Sequence, residues 1–423
     1  MSSTHQQNSA ADERPYVKRF SFIISLAAIS AITATAIDIA LPGHPAIGRG
    51  FGQTAEAAGV IVSAYFLGYG PGQMLWGPLA DKFGRMPPLY FGIIGFLVMS
   101  ILCATAESLE TLSFYRLLQG IFGGCGPVIA RAVARDQGGG TATAKLMATI
   151  IMIFGAAPLL APLIGSTILL FGEWQHIFWF LTLFAAGLLA LSYFFIAPAT
   201  KAHAATSPKR APLSFALVKR LFTGHDFLMG TTAMTFIFFG YSSMLGVGAA
   251  MTELHYGTPQ YVFGILFSIA ASAVIFGPAI SRRIIGTRSL RLPLKLGGWM
   301  AGFVGIGFLL VSTSLVPLWL LWSLVFLYVL AFGIMMPVAN AIALEDAGDA
   351  AGTASSLLSA LPTIGAALGA AAASSVDSPS GPGLFKDGYQ ALCLMMAFGG
   401  ITTSAIILMF GGGKRPYQGS EQE

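Results

Sequence analysis

Charge is what this chain has least of. Only 10% of its 423 residues are Asp, Glu, Lys or Arg, while 55% are hydrophobic; soluble domains carry roughly a quarter charged residues. So few ionic side chains cannot solvate a globular surface of this size, which excludes a soluble enzyme. Cysteine is scarce as well. Cys103, Cys125 and Cys393 are odd in number, lie in apolar stretches and lack metal-ligand spacing, so neither a disulfide framework nor a metal centre is expected. Phosphate-cradling loops are missing: Gly411-Gly412-Gly413-Lys414-Arg415 lacks the G-x-x-x-x-G-K-[ST] spacing. ATP is therefore not the expected energy source, and no cofactor is expected. Gly246-Val247-Gly248 sits inside an apolar run with no strand before it, so a dinucleotide site fails too. The net charge of +5 is dispersed between apolar runs, which argues against a nucleic-acid partner.

What is abundant is apolar length. A membrane helix needs about 20 mostly apolar residues. Such runs occur near 20–41, 55–78, 88–106, 110–134, 144–170 and 175–197, and again near 226–250, 259–281, 292–312, 317–344, 350–373 and 388–411. The first is longer than a signal-peptide core and has no A-x-A-like site, so it reads as a retained span. The expected fold is an all-α membrane protein of twelve transmembrane helices in two six-helix bundles, 20–197 and 226–411. A basic linker, 198–225, joins them, and 1–19 and 412–423 are tails. Placing the N-terminus inside puts 20 of the 23 Lys and Arg residues on the cytoplasmic side, all but Arg49, Arg116 and Lys386. Both termini are then cytoplasmic. Two parallel six-helix halves are the hydropathy of a transporter. A sequence echo supports duplication: Gly77-Pro78-Leu79-Ala80-Asp81-Lys82 after the second span returns as Gly277-Pro278-Ala279-Ile280-Ser281-Arg282 after the eighth, without the acid.

Charge at membrane depth costs roughly 2.5–3.5 kcal/mol even on insertion scales, and two residues stand there. Asp38 lies in the first span and Arg116 in the fourth. Both have a bland reading, Asp38 as an interfacial residue before Pro42 and Arg116 as a base snorkelling outward. His44 is a further candidate titrating group near Asp38. Tyr65-Phe66-Tyr69 and Phe236-Phe238-Phe239-Tyr241 are candidate stacking surfaces or ordinary packing. Gly68 to Gly72 and Gly365 to Gly369 have the spacing of close helix contacts.

Gly77-Pro78-Leu79-Ala80-Asp81-Lys82-Phe83-Gly84-Arg85 resembles the G-x-L-a-D-r-x-G-R-r motif of the major facilitator superfamily. Its glycines permit a tight turn, and Asp81 is placed to meet the positive head of helix 11 while Arg85 offers a donor fork. Met86 stands where the family usually has another base. Four further stretches resemble the bicyclomycin-resistance (Bcr/CflA) type of drug:proton antiporters. These are Ala36-Ile37-Asp38-Ile39-Ala40-Leu41-Pro42 at the end of helix 1, Arg116-Leu117-Leu118-Gln119-Gly120 in helix 4, Arg131-Ala132-Val133-Ala134-Arg135-Asp136 after it, and Gly155-Ala156-Ala157-Pro158-Leu159-Leu160-Ala161-Pro162-Leu163-Ile164-Gly165 in helix 5. Beyond residue 225 the resemblance rests on span count and the echoed corner.

The resemblance implies a proton-coupled exporter of drugs or small organic metabolites in a bacterial-type inner membrane, working as a monomer with protons, substrate and lipid as its partners. It implies that Asp38 takes protons or cations in a central cavity and that Arg116 couples protonation to substrate release. Gly155 to Gly165 would form a bending, close-packing face. Ala40, where the family often has Tyr, and Gly43-His44 depart from it. Two alternatives stay open: an importer of a siderophore or nutrient with the same architecture, and a ligand sensor, for which the short tails leave no signalling domain.

Overall fold

The computed structural model describes residues 20–137, 140–201, 221–285, 291–345, 351–377 and 381–411. The tails and most of the linker expected at 198–225 lie outside them. Twelve helical spans follow one another. α1 comprises Phe20–Ser30 and Ile32–Gly50, α2 Val60–Phe83, α3 Met86–Ala104, α4 Leu109–Asp136, α5 Gly140–Phe171 and α6 Gln175–Ile196. In the second half α7 is His225–Tyr256, α8 Gln260–Ile285, α9 Arg291–Val311, α10 Leu318–Glu345, α11 Ala351–Ser374 and α12 Gly388–Phe410. The fold is all-α, as expected. Among the described residues nine of these helices are individually long and apolar enough to span a bilayer. α2 is the instructive exception: it reaches across with 24 residues but includes Ser63, Gln73, Asp81, Lys82, two prolines and several glycines, the composition of a helix that faces protein rather than lipid.

The first span is longer than its apolar run. It bends by 50° between its two pieces and continues to Gly50. At the bend the Ser30 hydroxyl donates to the Leu26 carbonyl at 2.8 Å, a back-bond that competes with the helical ladder and bends helices. Further along, a 3-10 turn at Leu41–Gly43 places Pro42 and Pro45 at the first positions of their segments, where a missing N–H is harmless.

Within the first half α2 packs on α4, α3 on α4 and α6, and α1 on α5; within the second α7 packs on α10, α11 and α12, and α8 on α10. The halves meet chiefly along α2 with α11 and α5 with α8. Small residues set these distances. A methyl group on Gly68, Gly72 or Gly120 would overlap, or lie at 2.5 Å from, a carbonyl oxygen across the α2–α4 contact, so these backbones touch directly. Gly365 and Gly369 do the same for α11 against Thr235 and Phe239 of α7. The three cysteines are buried and unbridged. Phe91, Leu183, Phe303, Leu310 and Trp319 are exposed and form part of the apolar surface that a bilayer would cover. The linker end, the start of α7 and α10–α11 share a small separate cluster that includes Leu221, Phe227, Ala343, Ala354 and Leu357.

Gly120→Ala is expected to destabilise the protein by about 1–3 kcal/mol, the usual cost of overpacking, whereas Gly187→Ala, whose new methyl would meet nothing within 4 Å, is expected to leave it unchanged. Thermal unfolding of the two variants in detergent checks the contrast.

Candidate functional site

Arg116 is fully buried, which removes the snorkelling alternative. α4 begins at Ser108, whose hydroxyl caps the Thr111 N–H at 3.1 Å, and Arg116 lies two turns in. The close α2–α4 contact brings Tyr65 under it, and the guanidinium carbon sits 4.5 Å from that ring centre and 5.8 Å from the ring of Phe178 on α6. Desolvated contacts of this kind contribute about 2 kcal/mol or more. Nη1 donates to the Ala36 carbonyl at 3.2 Å and to Gln119 Oε1 at 2.6 Å. Gln119 in turn donates to Ser100 Oγ on α3 at 2.7 Å. One side chain thus touches α1, α2 and α6 directly and α3 through Gln119. Its Nε and Nη2 remain buried with no partner.

Asp38 is also buried, at 5% exposure, which removes the interfacial alternative. It does not pair with Arg116: among the described residues its carboxylate has neither an ion pair nor a hydrogen bond. Arg116 instead binds the α1 backbone two residues before it. Asp38 lies within electrostatic reach of Tyr241 on α7, in the other half. Tyr241, Phe238 and Phe332 of α10 stack at 5.6–5.9 Å with interplanar angles of 11–15°, and Phe66 of α2 meets Phe238 edge-on at 5.7 Å. The aromatic groups singled out in the sequence therefore divide. Tyr65, Phe66, Phe238 and Tyr241 lie inside or between the halves, while Phe236 and Phe239 pack against Phe398 of α12. Phe332 carried no sequence signal, because nothing in the spacing of an apolar helix marks which ring faces the partner half.

The α2–α3 corner turns at Gly84 with φ +81°, a backbone that favours glycine. Arg85 joins two of the sequence motifs. Its Nη1 meets Asp81 at 2.5 Å and its Nε meets Asp136, at the end of α4, at 2.7 Å. Asp81 is thereby bonded within its own half, and the residues 346–350 that lead into the head of α11, which it was expected to face, lie outside the described residues. The Asp136 partner was missed in sequence, although both residues stood in quoted motifs, because no spacing links segments 51 residues apart. Arg131 and Arg135 are exposed, and Arg131 Nε donates to the Pro127 carbonyl at 2.9 Å.

The helix 5 motif lies between the two halves. A methyl on Gly165 would overlap the Ile39 carbonyl of α1, and the Pro162 carbonyl would lie 3.0 Å from a methyl on Gly264 of α8. Ser268 of α8 donates to the Leu159 carbonyl at 2.7 Å. Pro158 and Pro162 both sit inside α5, each removing one ladder bond. Gly155 faces Ile275 of α8 with ordinary contact distance.

His44 is fully buried, and its Nδ1 lies 3.1 Å from the Gly246 carbonyl of α7. Nearby, Arg49 meets Glu253 of α7 at 2.5 Å. Among the described residues no group of three or more His, Cys, Asp or Glu is arranged to hold a metal.

The Major Facilitator Superfamily model matches residues 24–370. A bicyclomycin resistance protein homolog of Haemophilus influenzae is 28% identical over 385 residues, 90% of this chain and 95% of that one. The multidrug resistance protein MdtL of Escherichia coli is 30% identical over 201 residues, 48% of this chain and 51% of its own. The partially occluded, inward-open structure of the xylose transporter XylE from E. coli superposes with a TM-score of 0.70 at 13% identity, covering 95% of this chain and all of that one. With a family match across most of its length and twelve spans in two halves, this chain belongs to the major facilitator superfamily and is a multi-pass membrane transporter.

Proposed function

We propose that the protein exports small organic molecules, drugs or metabolites, from the cytoplasm across a bacterial inner membrane in exchange for protons. The observation that carries this reading is Asp38: a buried carboxylate without a cationic partner, within electrostatic reach of Tyr241 in the aromatic group that α7 and α10 present. A lone buried charge is costly, so the group is satisfied by a proton or by a cationic ligand, but not by both. Competition between the two is the simplest form of antiport. The rings of Phe238, Tyr241 and Phe332 offer flat apolar contact to the rest of such a ligand.

Arg116 has a different task in this scheme. Tied to Ala36 and Tyr65, it holds the α1 backbone next to Asp38 and supplies a fixed positive field to the first half. The energetics suffice: a proton crossing 100 mV yields about 2.3 kcal/mol, and one pH unit adds about 1.4. The bicyclomycin-resistance and multidrug-resistance names of the relatives support export as the direction. The distribution of Lys and Arg supports cytoplasmic termini, which puts the α1–α2 and α7–α8 loops outside.

Purified protein in liposomes with an imposed pH gradient tests the reading. Substrate addition is expected to move protons, and labelled substrate is expected to leave the compartment that stands for the cytoplasm; accumulation there would mark an importer. Asp38→Asn is expected to abolish substrate-coupled proton flux while the protein stays folded, and unaltered flux would refute the assignment. Arg116→Lys is expected to lower exchange roughly ten- to a hundredfold, since an ammonium cannot reproduce the fork and its ring contact, and one charge-assisted hydrogen bond is worth about 1.5–3 kcal/mol.

A further inference from the structure

Four helices from both halves converge on one backbone carbonyl. The Gly246 oxygen of α7 accepts the His44 bond from α1 at 3.1 Å. A carbonyl can only accept, so Nδ1 carries the hydrogen, and in the neutral imidazole Nε2 is then a lone pair. That Nε2 is buried with no partner. Gly59, at the head of α2, lies against the same oxygen: a methyl there would sit 2.5 Å from it and overlap Ser374 Oγ of α11. A methyl on Gly246 would in turn lie 3.2 Å from the Ala370 carbonyl and 3.4 Å from Ser374 Oγ. One turn along α2, Ser63 donates to the Ala367 carbonyl of α11 at 2.8 Å. The Arg49–Glu253 pair lies closer to the loops, and with its arginine side chain 53% exposed it is a weak, screened contact. The dry contact around Gly246 is the stronger closure.

We propose that His44, Gly59 and Gly246, with Ser374, form the seal that must part when the halves open toward the α1–α2 loop, and that His44 is its polar pin. This rests on the alternating-access reading above. His44 acts as a positioning residue, because its bond links the halves without reaching the Asp38 side chain. The seal is also built to release. Closing it makes one hydrogen bond and strands one acceptor, Nε2, so water entering an opened seal recovers what closure withholds. A leucine at 44 would close by apolar packing alone, with no such opposition and no such directionality. Gly59 admits no side chain because the Gly246 backbone and Ser374 fill the space a Cβ would need, while Gly246 is tight against Ala370 of α11.

The test is accessibility, which does not depend on substrate or on proton coupling. In a background with Cys103, Cys125 and Cys393 replaced by alanine, Tyr241→Cys places a thiol just over one turn deeper on α7, in the aromatic group that meets the first half, and a membrane-impermeant maleimide is added from the outside to intact cells. Gly59→Val is expected to wedge the seal and raise the labelling rate roughly fivefold or more, a factor that one lost interaction of ordinary size produces. His44→Leu is expected to raise it as well, and His44→Asn, which retains a donor, to return it toward the parent rate. If Gly59→Val does not reach the membrane, the two His44 variants carry the comparison. Labelling at the parent rate in His44→Leu, or equal rates for the Leu and Asn variants, would overturn the proposal. A failure of proton coupling in Asp38→Asn liposomes, with these rates as expected, would instead concern the antiport reading alone.

Discussion

A guanidinium buried in an apolar bundle has to be satisfied by whatever surrounds it, and the first half of this protein is arranged around that demand. Arg116 binds the α1 backbone, lies over a ring of α2, approaches a ring of α6 and reaches α3 through Gln119. None of these contacts works alone. The Tyr65 ring comes into range only because Gly68, Gly72 and Gly120 let α2 and α4 touch backbone to backbone. Placing Arg116 therefore places the helices, and it anchors the α1 backbone at Ala36, two residues before Asp38, without pairing with that carboxylate. An ion pair between them would have cancelled both charges and left the site little to exchange.

Two kinds of contact hold the described residues together. At the end bearing the α2–α3 corner, the described ion pairs run inside a half: Arg85 with Asp81 and Asp136 in the first, Arg291 with Asp226 in the second. Toward the other end, the contacts cross between halves, through His44 and Gly246, Arg49 and Glu253, and Ser63 and Ala367. Intra-half pairs keep each bundle rigid as it moves, and inter-half contacts are the ones that motion has to break. That division suits rocking of rigid bodies about α2–α11 and α5–α8, where small side chains and carbonyls meet without long interlocking groups.

Much of this was legible in the sequence because the bilayer imposes a simple rule. Apolar length marked all twelve spans, since lipid offers a backbone nothing to bond to. Asp38 and Arg116 stood out because charge there is expensive. The first span ran past its expected end at Leu41 because Pro42, Gly43 and Pro45 look like a terminator, yet they form a 3-10 turn within one continuing element. What pairing residues do across long separations stayed hidden. Arg85 with Asp136, and Phe332 with Phe238 and Tyr241, are tertiary facts with no local period to betray them.

His44 shows where sequence and structure have to be combined. As a departure from the family pattern it carried only a question, one of titration near Asp38. The structure gives it a bond to the opposite half and an unmet lone pair, and both features bear on closure before they bear on chemistry. A contact between two rigid bodies that cycle must be favourable enough to form and poor enough to break, so its best composition is not its most stable one. Apolar side chains alone would bury well and release slowly; a fully satisfied polar network would do the same. One donated bond, a glycine at 59 that allows the approach and one stranded nitrogen make a contact of intermediate worth. The sparse polar groups of this chain are thus spent at the two places where a wholly apolar protein could not function: the interior charge that exchanges its partner, and the joint that has to open and shut around it.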